Sequence, residues 1–253
     1  MQNLPFDTAV KGSEGDIIVS RQAPFGSFAP GAGLRQLYQD IAAHQMKEAA
    51  VMQGGFVFGG AIVDTGLNRR PKDFDIYIAS PNIVHKFKSF LGNPAADDDF
   101  MNEDEWAEEV FGYNFPIRPL GSFDAKTSEV FGDYFEFNGR TKIDDVWQVI
   151  DIKIGTKNAS MVDFLRRVVP APIQSAAMAL DRDDSYAYHR DCVDHALRGI
   201  FCTDQVHRTD LKKKAQDKGF EFITPAALAA RENEARPVSG VHTPKNGEWR
   251  PVI

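Results

Sequence analysis

The 253-residue sequence predicts an α/β fold in which a small, mixed, twisted sheet has helices packed on one side and is followed by a helical C-terminal region. Up to about residue 158, short runs rich in β-branched and aromatic residues alternate with segments of helical periodicity, and beyond it the pattern is helical. The apolar fraction of 43% is ordinary for a globular protein, so the chain can bury a sizeable core.

Composition divides the chain into four regions. Residues 1–33 are rich in Gly, Pro and Ser without sustained periodicity, and we interpret them as an N-terminal arm or surface loops. Residues 34–165 form the predicted catalytic domain. Residues 166–225 are interpreted as a helical accessory region, and the polar residues 226–253 as a surface tail.

The first half of the catalytic region predicts five helices and strands in order. Residues 34–50 carry apolar side chains at helical spacing and are followed by a glycine pair, which predicts an amphipathic helix. The segment FVFGGAIVDTGL predicts a strand, a turn at Gly59-Gly60 and a short helix. DFDIYIA alternates and is rich in β-formers, which predicts a strand, and residues 82–91 then predict a packed helix.

The second half predicts an antiparallel pair of strands. The strands are expected at residues 129–137 and 146–154, and Asn138-Gly139 between them is a strong short-range turn signal. The acidic segment 96–109 predicts an exposed helix. Farther along, helical periodicity recurs in MVDFLRRV, IQSAAMALD, HRDCVDHALRGIF and TDLKKKAQDKGF.

Charge and hydropathy exclude several classes of partner. The net charge of −7 argues against a broad basic face for long duplex DNA, because such binding depends on neutralising phosphates. No apolar run reaches the roughly 18 residues that cross a bilayer, and the N-terminus does not resemble a signal peptide. No membrane partner is expected, and the cytoplasm is the expected location. Cys192 and Cys202 are expected to be reduced structural thiols.

Three aspartates carry the predicted chemistry. Asp73 and Asp75 lie two apart on a predicted strand, so their side chains leave the same face. Like charges at one place repel each other unless a cation neutralises them, and magnesium prefers oxygen ligands of this kind. Asp151 interrupts an otherwise apolar strand and is the candidate third acid. The sequence therefore predicts two Mg²⁺ ions for phosphoryl transfer, with Asp151 helping to deprotonate an attacking hydroxyl.

A glycine pair and a lysine are the candidate contacts for a nucleoside triphosphate. Gly59 and Gly60 provide backbone without side chains beside a helix start, so their amides can approach phosphates closely. In the basic loop before the Asp-x-Asp pair, Lys72, Arg69 and Arg70 are candidates to add point charges at the phosphates, with solvation at the surface as the alternative, above all for the two arginines. An NTP is therefore the expected substrate.

A local basic patch lies in the C-terminal half. It is formed by Lys212, Lys213 and Lys214 together with Arg208 and Lys218. Two interpretations stay open, a contact for an RNA backbone or a phosphate and a solvated helix face.

The segment VFGGAIVDTGLNRRPKDFDIYI resembles the head-domain signature of the DNA polymerase beta-type nucleotidyltransferase superfamily. It is closest to the branch of bacterial poly(A) polymerases and CCA-adding tRNA nucleotidyltransferases. A softer similarity follows in IQSAAMALDRDD, and the two together span about residues 50–200. The chain length resembles that of small stand-alone versions found in bacteriophage genomes.

The resemblance implies metal-dependent transfer of a nucleoside monophosphate from an NTP to an acceptor hydroxyl, with a tRNA-like RNA 3′ end as one candidate. It implies that the Asp-x-Asp pair binds two magnesium ions, that Asp151 completes the site, and that the glycines hold the triphosphate. The residues on the motif positions are Gly59, Gly60, Asp64, Lys72, Asp73 and Asp75.

Three departures from the pattern leave alternatives open. Val63 stands where the superfamily usually has an arginine, and Pro170-Ala171-Pro172 replaces an Arg-Arg-Asp element. The chain after residue 165 is also too short to contain the neck, body and tail helices with which members of this branch usually grip tRNA. The alternatives are adenylylation of a small molecule or a protein, and a nucleotide-binding module without catalysis.

Overall fold

The computed structural model describes residues 8–12, 15–47, 52–91, 108, 111–112, 114–121, 123–182 and 185–235. Within these ranges, no helix is both long enough and apolar enough to cross a membrane. The acidic helix predicted at 96–109 lies outside the described residues except for residue 108, and so does the tail beyond residue 235.

Twelve strands and seven α-helices occur in the described ranges. The strands are β1 (Thr8–Gly12), β2 (Gly15–Ser20), β3 (Gly54–Phe58), β4 (Phe74–Ala79), β5 (Arg118–Pro119), β6 (Asp124–Ser128), β7 (Gly132–Ile143), β8 (Val146–Gly155), β9 (Ala176–Ala179), β10 (Tyr186–His189), β11 (Ile200–Cys202) and β12 (Glu221–Ile223). The helices are α1 (Gly31–Lys47), α2 (Gly60–Gly66), α3 (Pro81–Leu91), α4 (Met161–Val168), α5 (Cys192–Arg198), α6 (Thr209–Asp217) and α7 (Pro225–Ala235).

A ten-stranded sheet organises the fold. Its strand order is β1-β2-β10-β9-β3-β4-β8-β7-β5, and β6 pairs with the free part of β7. Strands β4 and β8 run parallel, while the other neighbouring strands of this sheet run antiparallel. The predicted α/β class with a mixed sheet is therefore confirmed, although the sheet is larger than expected. Strands β11 and β12 form a separate parallel pair.

Helices cover both faces of this sheet. One face, which includes Ile152, packs against α1, α2 and α3. On the opposite face, Phe56 packs against Phe164 of α4 with ring centroids 5.2 Å apart. The expectation of helices on one side is therefore wrong. Every residue of β3 is buried, so both faces of this strand need a cover.

Two segments outside the predicted catalytic region contribute strands to its sheet. Residues 15–20 form β2 instead of loops, and the segment predicted as a helix around residue 176 forms a 3₁₀ turn (Pro172–Gln174) followed by β9. All four residues of β9 are buried between β3 and β10, so tertiary packing overrides the helix propensity of its alanines. The four domain boundaries stay a prediction, although α7 extends into residues predicted as tail.

The antiparallel pairing of β7 with β8 is confirmed, but the turn predicted at Asn138-Gly139 is wrong. The chain reverses at Asp144 and Asp145, whose φ angles are 50° and 62°. Two consecutive residues with positive φ form the hairpin loop that best matches strand twist, and aspartate tolerates this conformation. Gly139 lies inside β7, where a Cβ would meet Ile117 Cγ2 at 2.4 Å. Glycine is therefore needed there for the close approach of the chain before β5.

Candidate active site

The three predicted acids meet where β4 lies beside β8. Asp75 and Asp151 are direct partners in the parallel register of the two strands. Their neighbours Ile76 and Ile150 are buried in the core, so both carboxylates occupy the opposite, partly exposed face. Asp73 lies immediately before β4, and its negative charge acts on both of the other carboxyls.

Burial and mutual repulsion shift the titration of this cluster. Burial is the main cause that raises the pKa of Asp75 to about 6; Lys153 opposes the shift, and the charges of Asp151 and Asp73 add to it. Burial also raises the pKa of Asp151, followed by repulsion from Asp73, while Lys153 and Lys72 lower it. The carboxyls of Asp75 and Asp151 are thus harder to ionise, mainly because they are buried and also because neighbouring carboxylates repel their charges.

Lys153 is a site residue to which sequence reasoning assigned no role. Its Nζ lies 3.9 Å from Asp75 Oδ1 and 3.7 Å from Glu136 Oε2. The same Nζ lies 5.8 Å from the centre of the Phe58 ring. The signal was present in the alternation of β8, because Lys153 follows Asp151 by two positions and shares its face. Lys153 partly compensates the negative charge of the aspartates.

No group of three or more His, Cys, Asp or Glu side chains in the described ranges stands ready to hold a metal ion. Asp75 and Asp151 share a face, and the charge of Asp73 acts on both, but within these ranges the carboxylates are not grouped as a ready metal site. Ion binding would therefore require these side chains to turn toward a common centre.

The predicted glycine turn lies beside Asp75. Phe58, the last residue of β3, is paired with Asp75, and Gly59 follows with φ 84° and ψ −146°. This backbone conformation is essentially restricted to glycine. A Cβ on Gly59 would lie 3.4 Å from Asp75 Oδ2. The turn therefore places bare backbone next to the carboxylate cluster.

Two lysines of the basic patch reach the same place from the C-terminal part. Lys218, in the turn after α6, forms an ion pair with the buried Asp64 of α2. A Cβ on Gly60 would lie 3.1 Å from Lys218 Nζ. Lys214, on α6, lowers the pKa of Asp75. A small pocket has Gly60, Asp64, Lys214 and Lys218 among its lining residues.

The basic loop between α2 and β4 has two roles. Lys72 is exposed, and its charge lowers the pKa of Asp151, so it lies near the acids. Its predicted contact with a nucleotide stays a prediction. Arg69 instead contacts the C-terminal part: its guanidinium donates a hydrogen bond to the Lys218 carbonyl at 3.0 Å and lies 5.1 Å from the centre of the Phe220 ring. Arg69 thereby fastens this loop to the turn that carries Lys218.

Comparison with known proteins identifies distant structural matches. No protein-family model and no curated protein matches the sequence. A CCA-adding enzyme in apo form I is 14% identical with a TM-score of 0.42, and the match covers 79% of this chain and 42% of that one. A tRNA-processing enzyme in apo form I is 12% identical with a TM-score of 0.40, and the match covers 78% of this chain and 45% of that one. The Thermotoga maritima CCA-adding enzyme complexed with tRNA is 14% identical with a TM-score of 0.32, and the match covers 66% of this chain and 31% of that one. The chain thus spans less than half the length of these three proteins.

Proposed function

We propose that this protein transfers a nucleoside monophosphate from an NTP to an acceptor hydroxyl and releases pyrophosphate. The observation that carries the proposal is the pairing of Asp75 with Asp151 on adjacent parallel strands, with Asp73 beside them. Gly59 presents backbone at the same place. The solved structures resemble the chain too weakly to support this proposal, which rests on the residues of the site.

The donor set fits hard divalent cations. Carboxylate oxygens are the ligands that magnesium prefers, and bound cations would offset both the burial and the repulsion between carboxylates that raise the pKa of Asp75. Asp73, Asp75 and Asp151 would hold two Mg²⁺ ions. When bound, the ions polarise the phosphate that is attacked and neutralise charge on the departing pyrophosphate.

In the transfer, the oxygen of the acceptor hydroxyl forms a bond to the α-phosphorus of the NTP. The bond between this phosphorus and the oxygen bridging to the β-phosphate breaks, and pyrophosphate leaves with its electron pair. Asp151 accepts the proton of the hydroxyl.

Lys214 and Lys218 are the proposed contacts for the β- and γ-phosphates, and Lys72, whose charge acts on Asp151, is a further candidate contact. Lys218 is held beside Gly60 by its ion pair with Asp64, so its position is set before a nucleotide binds. Val63, which stands where the resemblance expects an arginine, lines the same pocket as both lysines. The lysines would therefore supply the positive charge that Val63 lacks.

The direct test is transfer of label from each of four α-³²P-labelled NTPs in the presence of Mg²⁺ and a total RNA pool. RNA, protein and small-molecule products are separated. We expect labelled RNA from the wild-type protein and none from the Asp73→Ala/Asp75→Ala variant. Asp40→Asn is the matched control, because Asp40 is exposed on α1. Label on a protein or small molecule would support nucleotidyl transfer but would identify an acceptor other than RNA. No label with any NTP would contradict the proposal.

A further inference from the structure

An exposed aromatic and apolar stripe continues along β8 from Asp151. Trp147, Val149 and Asp151 alternate along the strand and therefore share one face. Trp147 is 53% exposed and Val149 is 37% exposed, whereas Ile150 on the other face is fully buried. At about 3.3 Å per residue, Trp147 lies about 13 Å along the strand from Asp151. The stripe thus leads directly to the proposed general base.

Basic side chains from the neighbouring strands surround the indole of Trp147. Lys142 is paired with Trp147, and Arg140 is paired with Val149. The Arg140 guanidinium and Lys142 Nζ lie 5.5 Å and 5.7 Å from the centre of the Trp147 ring. Arg118 is exposed opposite Arg140 on β5. Within the described ranges, neither Arg140 nor Lys142 forms an ion pair with a carboxylate.

The other side of this hairpin is anchored, so the exposed face has a defined shape. Ile143 is 4% exposed and belongs to the main core. The Thr141 hydroxyl donates a hydrogen bond to the Pro116 carbonyl at 2.9 Å. Asp144, in the turn, lies toward the start of α1, where its Oδ1 would be 2.8 Å from a Cβ on Gly33. The exposure of Trp147 is therefore a property of a packed hairpin and not of a loose end.

We propose that this stripe on β8, together with Arg118, Arg140 and Lys142 on the neighbouring strands, binds the 3′-terminal nucleotides of a single-stranded polynucleotide acceptor. The proposal rests on the proposed function, because it places the 3′ hydroxyl at Asp151. Cations track the phosphates of a single strand while an aromatic side chain stacks on a base, and both groups occur here on one face. A single strand is favoured over a duplex because the indole needs an unpaired base.

The geometry adds a length requirement. The distance of about 13 Å between Trp147 and Asp151 equals about four stacked nucleotides at about 3.4 Å each. An acceptor of two nucleotides with its 3′ hydroxyl at Asp151 does not reach Trp147. An acceptor of eight nucleotides does, so only the longer acceptor gains affinity from the indole.

Fluorescence anisotropy with 5′-labelled octanucleotides tests the proposal without requiring turnover. We expect Trp147→Ala to weaken binding about 10-fold and Trp147→Phe to retain most of the affinity. Arg140→Ala/Lys142→Ala is expected to weaken binding and to reduce the slope of log affinity against log salt by about 0.7 for each lost phosphate contact. Octaribonucleotide and octadeoxyribonucleotide arms show which sugar is preferred, and either preference supports the stripe.

Lys212→Ala/Lys213→Ala is the control, because both lysines are exposed on α6 in the competing basic patch. The proposal is overturned if this control weakens binding while Trp147→Ala does not, or if the wild-type protein binds neither octanucleotide. Circular dichroism checks that each variant is folded. Octanucleotide binding without nucleotidyl transfer would contradict the proposed function and leave the stripe intact. Transfer to a small molecule or protein without octanucleotide binding would overturn the proposal for the stripe and leave the proposed function intact.

Discussion

The two faces of β8 differ in what they contribute to the protein. Ile150, Ile152 and Ile154 are fully buried and belong to the core under α1, α2 and α3. Asp151 and Lys153, between them in sequence, are partly exposed charges on the face that also carries Asp75. Alternate residues of one strand therefore serve separate tasks. The isoleucines stabilise the fold, whereas the aspartates are held close together although they repel one another.

The largest expected effect is the loss of activity when an aspartate on the charged face of the sheet is replaced. Asp75→Asn and Asp151→Asn should each lower kcat/KM for nucleotidyl transfer at least about 10³-fold, about 4 kcal/mol in the barrier, because each removes a proposed ion ligand. Initial rates of incorporation from α-labelled NTP measure this. Asp40→Asn should stay within about twofold of the wild-type rate. A variant of either site residue that keeps a tenth of the activity would contradict the assigned role.

Removing a core side chain should have the opposite profile. We expect Ile152→Ala to lower the free energy of unfolding by about 2–5 kcal/mol, because it leaves a cavity beneath the sheet. Urea denaturation monitored by circular dichroism gives this value. Activity per folded molecule should fall less than tenfold. A stability loss below about 1 kcal/mol would show that this face is less tightly packed than described.

The pH dependence of the free energy of unfolding should show the cost of ionising Asp75 in the folded protein. The pKa of Asp75 is raised from 3.8 to about 6 in the folded protein. Its contribution to stability is therefore fully present below pH 3.8 and is lost as pH rises through about 6. Asp75→Asn avoids this loss, so the variant should be more stable than wild type by about 1–3 kcal/mol above pH 6, in the absence of divalent cations. Urea titrations from pH 4 to pH 8 should show the difference shrinking toward zero at pH 4, and a constant difference would refute the interpretation.

The smallest expected effect concerns the glycine turn. Gly59→Ala should lower stability by about 1–2 kcal/mol, because alanine disfavours φ 84°. Gly26→Ala is a matched control, since Gly26 has the same φ and a Cβ there meets nothing within 4 Å. Thermal unfolding should show similar losses for both. NTP binding, measured by calorimetry, should weaken for Gly59→Ala alone; equal affinities in the two variants would remove Gly59 from the nucleotide site.

Local sequence pattern predicted where much of this candidate site lies on the strands, and the roles of its residues stay predictions. The alternation of β4 and β8 was sufficient to place Asp75 and Asp151 on solvent-facing sides of strands, and the glycine pair marked the end of β3. The contacts that pattern missed join distant parts of the chain. Lys218 pairs with Asp64 through tertiary folding, so the spacing of neither residue signals the contact.

The misassigned strands have the same cause. Strand β9 consists of Ala176–Ala179, whose intrinsic preference is helical, and its identity depends on burial between β3 and β10. Strand β2 is likewise defined by its pairing with β10, far along the chain. The position of the hairpin turn has a different cause. Asn138-Gly139 carries the stronger local turn signal, but Gly139 lies within β7 close to Ile117, and the chain turns at Asp144-Asp145 instead.

Mn²⁺ binding followed by electron paramagnetic resonance tests whether Asp73, Asp75 and Asp151 form a cation-binding site. The titration uses Mn²⁺ in place of Mg²⁺ with a non-hydrolysable NTP analogue present, for wild type, Asp75→Asn, Asp151→Asn and Asp40→Asn. We predict tight Mn²⁺ binding by wild type and Asp40→Asn, and at least about tenfold weaker binding by both Asp75→Asn and Asp151→Asn. Unchanged Mn²⁺ affinity in either of these two variants would show that the substituted aspartate is not a ligand of the proposed cations.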